Sequence, residues 1–139
     1  MKNNFIIVGA GDFNKEIFSH EKDDFIIAAD AGYSHLSSMG VIPDMVIGDF
    51  DSLGEIPMHP NIKKLPVKKD DTDIISSVRT ALGMGAETIC IYGATGGNRF
   101  DHTIANIQTL QFIAENNAVG FIIDKDFTMC AFKNKTLVF

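Results

Sequence analysis

Short apolar runs recur along this chain, and segments with the apolar spacing of helices separate several of them. Six runs have the β-branched and aromatic composition of strands. They are residues 5–8, 25–29, 45–47, 62–67, 88–92 and 119–123. Most are apolar throughout instead of alternating, which is typical of strands covered by helices on both faces. The pattern therefore predicts an α/β fold with three α/β/α layers and a mostly parallel, doubly wound, Rossmann-like sheet.

Two helices are clearly predicted. The first helix is predicted over residues 72–84. Its N-cap would be Thr72 or Asp71, and Gly83 and Gly85 would end it. Its apolar stripe is Ile74, Ile75, Val78, Ala81 and Leu82. A longer helix is predicted over about 99–116. Its expected buried stripe is Ile104, Ile107, Leu110 and Ile113.

Composition narrows the class of protein. The 139 residues fit one domain, and 45% hydrophobic with 22% charged residues is an ordinary globular composition. A formal charge of -6, with no long basic cluster, argues against nucleic acid as a partner. No apolar stretch approaches the roughly 20 residues of a membrane span, and no signal peptide is evident, so no membrane association and a cytoplasmic location are expected. Cys90 and Cys130 lack metal-ligand spacing and are expected to be free thiols.

Five aspartates stand in two clusters where strands are predicted to end. They are Asp49 and Asp51, after the run 45–47, and Asp70, Asp71 and Asp73, after the run 62–67. Crowded carboxylates repel one another unless a cation offsets their charge. Oxygen ligands suit Mg²⁺, which often accompanies phosphate chemistry. Asp73, in the first turn of a helix, has the alternative role of complementing the helix dipole.

Three further loops follow predicted strands. Gly9 and Gly11 are compatible with phosphate binding but also with a tight turn. Asp30 is either a helix cap or a hydrogen-bonding group for a substrate. Residues 93–102 combine three glycines with Arg99, a pattern that predicts a phosphate cradle.

The same motifs also fit two other kinds of protein, a dinucleotide-binding fold and a phosphatase. A dinucleotide-binding fold would use Asp124 to grip a ribose, but it would place the bulky Arg99 where close packing needs its third glycine. Asp49-x-Asp51 also matches the signature of haloacid-dehalogenase-like, Mg-dependent phosphatases, in which the first aspartate is a nucleophile. That family usually has Thr or Val where this chain has Leu53.

Four motifs together closely resemble those of thiamin pyrophosphokinase, in the same order and with matching spacing. They are ADAG at 29–32, GDFDS at 48–52, KDDTD at 69–73 and GGNRFDH at 96–102. The resemblance covers about residues 5–126. It implies an enzyme that transfers pyrophosphate from ATP to thiamin, giving thiamin diphosphate and AMP.

The resemblance also implies roles for individual residues. By this resemblance, the ligands of a Mg²⁺ ion are Asp49, Asp51 and Asp73. The catalytic residues are these three with Asp101 and Arg99. The nucleotide- and substrate-binding residues are Asp30, Ser52, Lys69, Thr72, Gly96, Gly97, Arg99 and His102. Asp101 or Asp73 is the candidate to accept the proton of the acceptor hydroxyl, and His102 has the alternative of a structural hydrogen bond.

The resemblance finally implies a domain plan. Residues 1–126 correspond to the ATP- and Mg-binding catalytic domain, and residues 127–139 to the β-rich start of a truncated C-terminal domain or a linker. The family's C-terminal β-sandwich domain is then largely missing, and a homodimer is expected. We expect this chain to bind Mg-ATP but to transfer slowly or not at all, with an inactive nucleotide-binding module as the alternative.

Overall fold

The computed structural model describes residues 3–48, 59, 61–64, 73–95 and 100–131. Seven strands and three helices lie in this part of the chain. In chain order they are β1 (Asn4–Val8), β2 (Phe25–Ala29), α1 (Gly32–Ser37), β3 (Met45–Gly48), β4 (Ile62–Lys64), α2 (Asp73–Gly83), β5 (Thr88–Tyr92), α3 (Phe100–Glu115), β6 (Val119–Ile123) and β7 (Thr128–Ala131). Each predicted strand and both predicted helices are present, with ends that differ by a few residues where those ends are described.

The strands form one sheet in the order β4-β3-β2-β1-β5-β6-β7. Strands β1 to β6 run parallel, and β7 pairs antiparallel with β6 at the edge. From β1 the chain proceeds towards β4 on one side, and β5 then returns to the other side of β1. The switch point of this doubly wound sheet therefore lies between β1 and β5, which confirms the predicted fold class.

Apolar side chains fill both faces of the sheet. On one face, residues of α2 and α3 such as Val78 and Ile113 pack on alternate strand residues such as Ile7. On the other face, Leu36 of α1 packs against residues such as Val8, with Phe18 beside them. These two cores give the predicted three layers and explain why the strands are apolar throughout. Within the described ranges, no helix is both long and apolar enough to cross a membrane.

The connection from β1 to β2, residues 9–24, is described in full and contains no helix. Aromatic contacts hold this segment against the α1 face instead. Phe13 stacks on the ring of His35, with ring centres 4.9 Å apart, and Phe18 meets the ring of Tyr92 edge-on at 4.9 Å. Strand and helix therefore alternate less regularly than the hydrophobic pattern indicates.

The buried stripe of α3 differs from the predicted one. Leu110 and Ile113 are buried as predicted, but Ile104 is 43% exposed and Ile107 is 38% exposed, so the prediction was wrong for those two. The helix instead buries Asn106, Thr109, Leu110, Ile113 and Ala114. Hydrogen bonds make this possible, because the Thr109 hydroxyl donates to the Ala105 carbonyl at 2.9 Å and the Asn106 amide donates to the Ala94 carbonyl at 3.0 Å.

Candidate active site

The loops that follow β1 and β5 run side by side beyond the end of the sheet. The backbone N–H of Gly9 donates to the Tyr92 carbonyl at 2.8 Å, and that of Gly11 donates to the Gly93 carbonyl at 2.7 Å. One step further, the N–H of Asp12 donates to the Thr95 carbonyl at 2.8 Å. This is the switch point of the sheet, where doubly wound folds bind their ligands.

Glycine is required for this close approach. Gly93 has φ 67°, and a Cβ there would lie 2.4 Å from the Gly9 carbonyl oxygen. A Cβ on Gly11 would lie 2.5 Å from the carbonyl oxygen of Thr95. The N–H groups of Gly9 and Gly11 also donate to backbone carbonyls. Packing of the two loops therefore accounts for Gly9 and Gly11 without a phosphate ligand.

Asp30 is the first predicted site residue in the chain, and it lies at the carboxyl end of β2. It is only 8% exposed and has φ 50°, a left-handed conformation that few residues other than glycine adopt. Its N–H donates to the Ile47 carbonyl of β3 at 2.7 Å. A Cβ on Gly48 would lie 3.2 Å from the Asp30 carboxylate, so this side chain lies against the residue that precedes Asp49.

The start of α1 bears on the interpretation of Asp30 as a helix cap. The N-cap of α1 is Ala31, and no side chain makes a capping hydrogen bond there. The N-cap position is therefore occupied by Ala31 and not by Asp30. Strained backbone and a buried carboxylate at a strand end are costly, and they are concentrated at functional sites.

Asp73 lies in the first turn of α2, as predicted, and is half-buried. The Ser77 hydroxyl donates to its carbonyl at 2.8 Å. The next residue, Ile74, packs against the loop after β1, because a Cβ on Gly9 would lie 2.6 Å from Ile74 Cδ1. The start of α2 thus lies at the same edge of the sheet as Asp30.

Asp101 and His102 lie in the first turn of α3, and Asp101 is exposed. The other predicted site residues lie outside the described part of the chain. They are Asp49, Asp51, Ser52, Lys69, Thr72, Gly96, Gly97 and Arg99. Among the described residues, no three His, Cys, Asp or Glu side chains come together in a way that could hold a metal ion. The predicted metal ligands therefore remain predictions.

Sequence reasoning missed Asn106 and Thr95. Asn106 is 5% exposed and donates to the Ala94 carbonyl from the buried face of α3. The buried hydroxyl of Thr95 donates to the carboxylate of Asp124, which also accepts the N–H of Lys125 at 2.6 Å. For Asn106, the available signal was a polar amide side chain two residues after Ile104, in a helix that was considered only for its apolar periodicity.

A cavity of about 580 Å³ opens beside this edge on the α1 side. Its walls are residues 12–16 after β1, His35 and Ser38 of α1, and residues 124–126 after β6. Both signs of charge line it, with four carboxylates and two lysines. The size is within the usual range for a small-molecule site.

Residues 18–121 match the family model described as thiamin pyrophosphokinase, catalytic domain. The chain belongs to the thiamin pyrophosphokinase family. The matched range contains every residue predicted for the site, from Asp30 to His102. The family predicted from the four motifs is confirmed.

Relatives within the thiamin pyrophosphokinase family agree. The chain is 36% identical over 105 residues to thiamine pyrophosphokinase of Bacillus subtilis strain 168, covering 71% of this chain and 49% of that protein. It thus spans about half the length of the curated relative it matches. The crystal structure of thiamine pyrophosphokinase from Bacillus subtilis has a TM-score of 0.71 and 29% identity, covering 88% of this chain and 61% of that one. For thiamin pyrophosphokinase from Geobacillus thermodenitrificans the TM-score is 0.69 and the identity 28%, with 88% and 60% covered.

Proposed function

We propose that this chain carries the catalytic domain of a thiamin pyrophosphokinase, which transfers pyrophosphate from ATP to thiamin. The observation that carries this proposal is that the family match over residues 18–121 includes Asp30, a carboxylate that is buried and has a strained backbone. That carboxylate lies against Gly48, the residue that leads into the cluster of Asp49 and Asp51.

The proposed reaction is a single displacement. The hydroxyethyl oxygen of thiamin attacks the β-phosphorus of ATP, and the bond from that phosphorus to the α–β bridging oxygen breaks. AMP leaves with the bonding electron pair, and Asp101 or Asp73 accepts the hydroxyl proton. Such transfers depend mainly on alignment and on neutralising charge, so the protein needs no covalent intermediate.

The donor chemistry fits Mg²⁺. Asp49, Asp51 and Asp73 would hold it, and they are carboxylates, the hard ligands that this ion prefers over thiol or imidazole. Two described features support the fit: Asp73 is half-buried at the start of α2, and Asp30 lies against the residue before Asp49. When bound, the ion would offset the charge of the ATP phosphates.

The remaining predicted residues would bind and orient the substrates. Gly96, Gly97 and Thr72 would contact the ATP phosphates, and Arg99 would pair with phosphate oxygens as a forked cation. Asp30 would accept a hydrogen bond from a substrate. Further nucleotide contacts are proposed for Ser52, Lys69 and His102.

The proposal includes a homodimer in the cytoplasm, with ATP and thiamin as small-molecule substrates. It also keeps the division into a catalytic domain over residues 1–126 and a β-rich segment over residues 127–139. The family assignment supports these points, and size measurement by light scattering tests the dimer.

The test of the activity is product analysis. Purified chain is incubated with Mg-ATP, with and without thiamin, and AMP is quantified. The proposal expects slow AMP release that depends on thiamin. Inorganic phosphate released from a phosphomonoester would instead identify a phosphatase, and ATP binding without any AMP would identify a binding module.

The metal assignment is tested by Asp51→Asn. This change removes a charged ligand and keeps the side-chain shape, so thiamin-dependent AMP release should fall by roughly two orders of magnitude or more. Turnover close to that of the unmodified chain would contradict Asp51 as a metal ligand.

A further inference from the structure

Hydrogen bonds hold each of the three residues that precede Gly96. The Gly93 carbonyl accepts the Gly11 N–H at 2.7 Å. The Ala94 carbonyl accepts the side-chain amide of Asn106 at 3.0 Å. The carbonyl of the third residue, Thr95, accepts the N–H of Asp12 at 2.8 Å, and its hydroxyl donates to the carboxylate of Asp124. Three different parts of the fold therefore converge on a three-residue segment.

We propose that Asn106 and Asp124 are positioning residues that fix Ala94 and Thr95, which directly precede Gly96 and Gly97 in the sequence. This inference rests on the proposed function, in which Gly96 and Gly97 contact the ATP phosphates. The two side chains would not touch the nucleotide. They would act through the backbone of Ala94 and the hydroxyl of Thr95.

Asn106 is placed unlike an ordinary buried helical residue. Asparagine is a poor helix former, and burying its amide is costly without hydrogen-bond partners. The side chain nevertheless lies in the buried face of α3 and donates to a residue 12 positions earlier. Thr109 is the contrast, since it is 4% exposed on the same face but donates to Ala105 within its own helix.

Asp124 has a comparable position at the end of β6. One carboxylate oxygen accepts the Thr95 hydroxyl, and the other accepts the N–H of Lys125 at 2.6 Å. Because Thr95 is 7% exposed, this hydrogen bond lies in a weakly screened environment, where it is both stronger and more costly to lose. The carboxylate thus ties the loop after β5 to the loop after β6.

The experiment compares four variants in pairs. Asn106→Ala removes the donor to Ala94, and Thr109→Val is its control, because it removes an equally buried polar group that bonds only within α3. Thr95→Val removes the donor to Asp124, and Thr95→Ser retains it. If Asn106→Ala fails to fold, the Thr95 pair still tests the inference.

Two readouts are used. Steady-state kinetics give KM for ATP and KM for thiamin separately, and amide hydrogen exchange follows the N–H groups of Gly11 and Asp12. We expect Asn106→Ala and Thr95→Val to raise KM for ATP by about tenfold, as the loss of a buried hydrogen bond would, with KM for thiamin unchanged. The same variants should exchange the two amides faster, whereas Thr109→Val and Thr95→Ser should match the unmodified chain in both readouts.

Results that would overturn the inference are equally specific. One is a lower melting temperature for Asn106→Ala with an unchanged KM for ATP and unchanged amide exchange. Another is the same rise in KM for Thr109→Val, since that would mark a general effect of weakening α3. If the unmodified chain releases no AMP with thiamin, the proposed function fails, and the positioning role is then decided by amide exchange and by the calorimetric Kd for Mg-ATP.

Discussion

Substitutions of Asp30 can separate the effect of its backbone strain from the effect of its carboxylate charge. The residue combines φ 50° with 8% exposure at the end of β2. Three substitutions change different properties. Asp30→Gly removes both the side chain and the backbone strain, Asp30→Ala removes the side chain but keeps the strain, and Asp30→Asn keeps the shape and tolerates this backbone conformation while removing the charge.

The magnitudes follow from the backbone geometry. A left-handed conformation costs an alanine about 1–2 kcal/mol, and glycine escapes that cost. Glycine also makes the unfolded chain more flexible, which lowers stability by about 0.4–1 kcal/mol relative to alanine. Asp30→Gly should therefore be more stable than Asp30→Ala by about 0.5–1 kcal/mol. Asp30→Asn should remain close to the unmodified chain in stability.

Urea unfolding and thiamin-dependent AMP release test these expectations together. If the carboxylate hydrogen-bonds a substrate, all three variants should lose about 10- to 100-fold in activity, including the stable Asp30→Asn. Normal turnover of Asp30→Asn would refute a role for the charge. A glycine variant no more stable than the alanine variant would refute the strain argument.

The remaining predictions concern packing and thiol chemistry. Gly32→Ala should cost more than about 3 kcal/mol or prevent folding, because its Cβ would lie 1.9 Å from a β1 carbonyl oxygen, whereas Gly83→Ala, with open space around it, should be neutral or stabilising in urea unfolding. Ile113→Ala should lower the free energy of unfolding by about 2–5 kcal/mol and the half-exposed Ile107→Ala by less than about 1, and equal losses would contradict the observed face of α3. Burial, with a smaller contribution from a nearby carboxylate, raises the pKa of Cys90 to about 11, so less of it is thiolate near pH 8. With the other cysteine replaced by serine, its alkylation should be about 100-fold slower there than for an ordinary thiol and should keep accelerating up to about pH 11; a plateau near pH 9 would contradict this.

The sheet could be predicted from sequence because its signal is local. Runs such as 5–8 and 25–29 are apolar at every position, which is the pattern of a strand buried on both faces. The ends of β1, β2, β3, β5 and β6 are also visible, since glycine or aspartate follows each of them. Residues after parallel strands meet at one edge, so the position of Asp30 and of the start of α2 followed from the same argument.

The connection between β1 and β2 and the face of α3 could not be predicted in this way. Both depend on contacts between residues far apart in sequence. Phe13 and Phe18 secure residues 9–24 through ring contacts with His35 and Tyr92, so no helix is needed there. In α3, the isoleucines suggested one face, and the hydrogen bond from Asn106 to a loop 12 residues away favoured another.

The buried polar residues fall into two groups, those that bond within their own helix and those that lie at the carboxyl edge of the sheet. In the described part of the chain, five polar or charged residues are buried. The hydroxyls of Ser77 and Thr109 donate to carbonyls four residues earlier in their own helices, so their burial is satisfied locally. Asn106 and Thr95 instead bond across the fold, and Asp30 lies against Gly48 of the neighbouring strand. These three lie at the carboxyl edge of the sheet, where the proposed site lies, so the burial of polar groups at that edge agrees with the proposal.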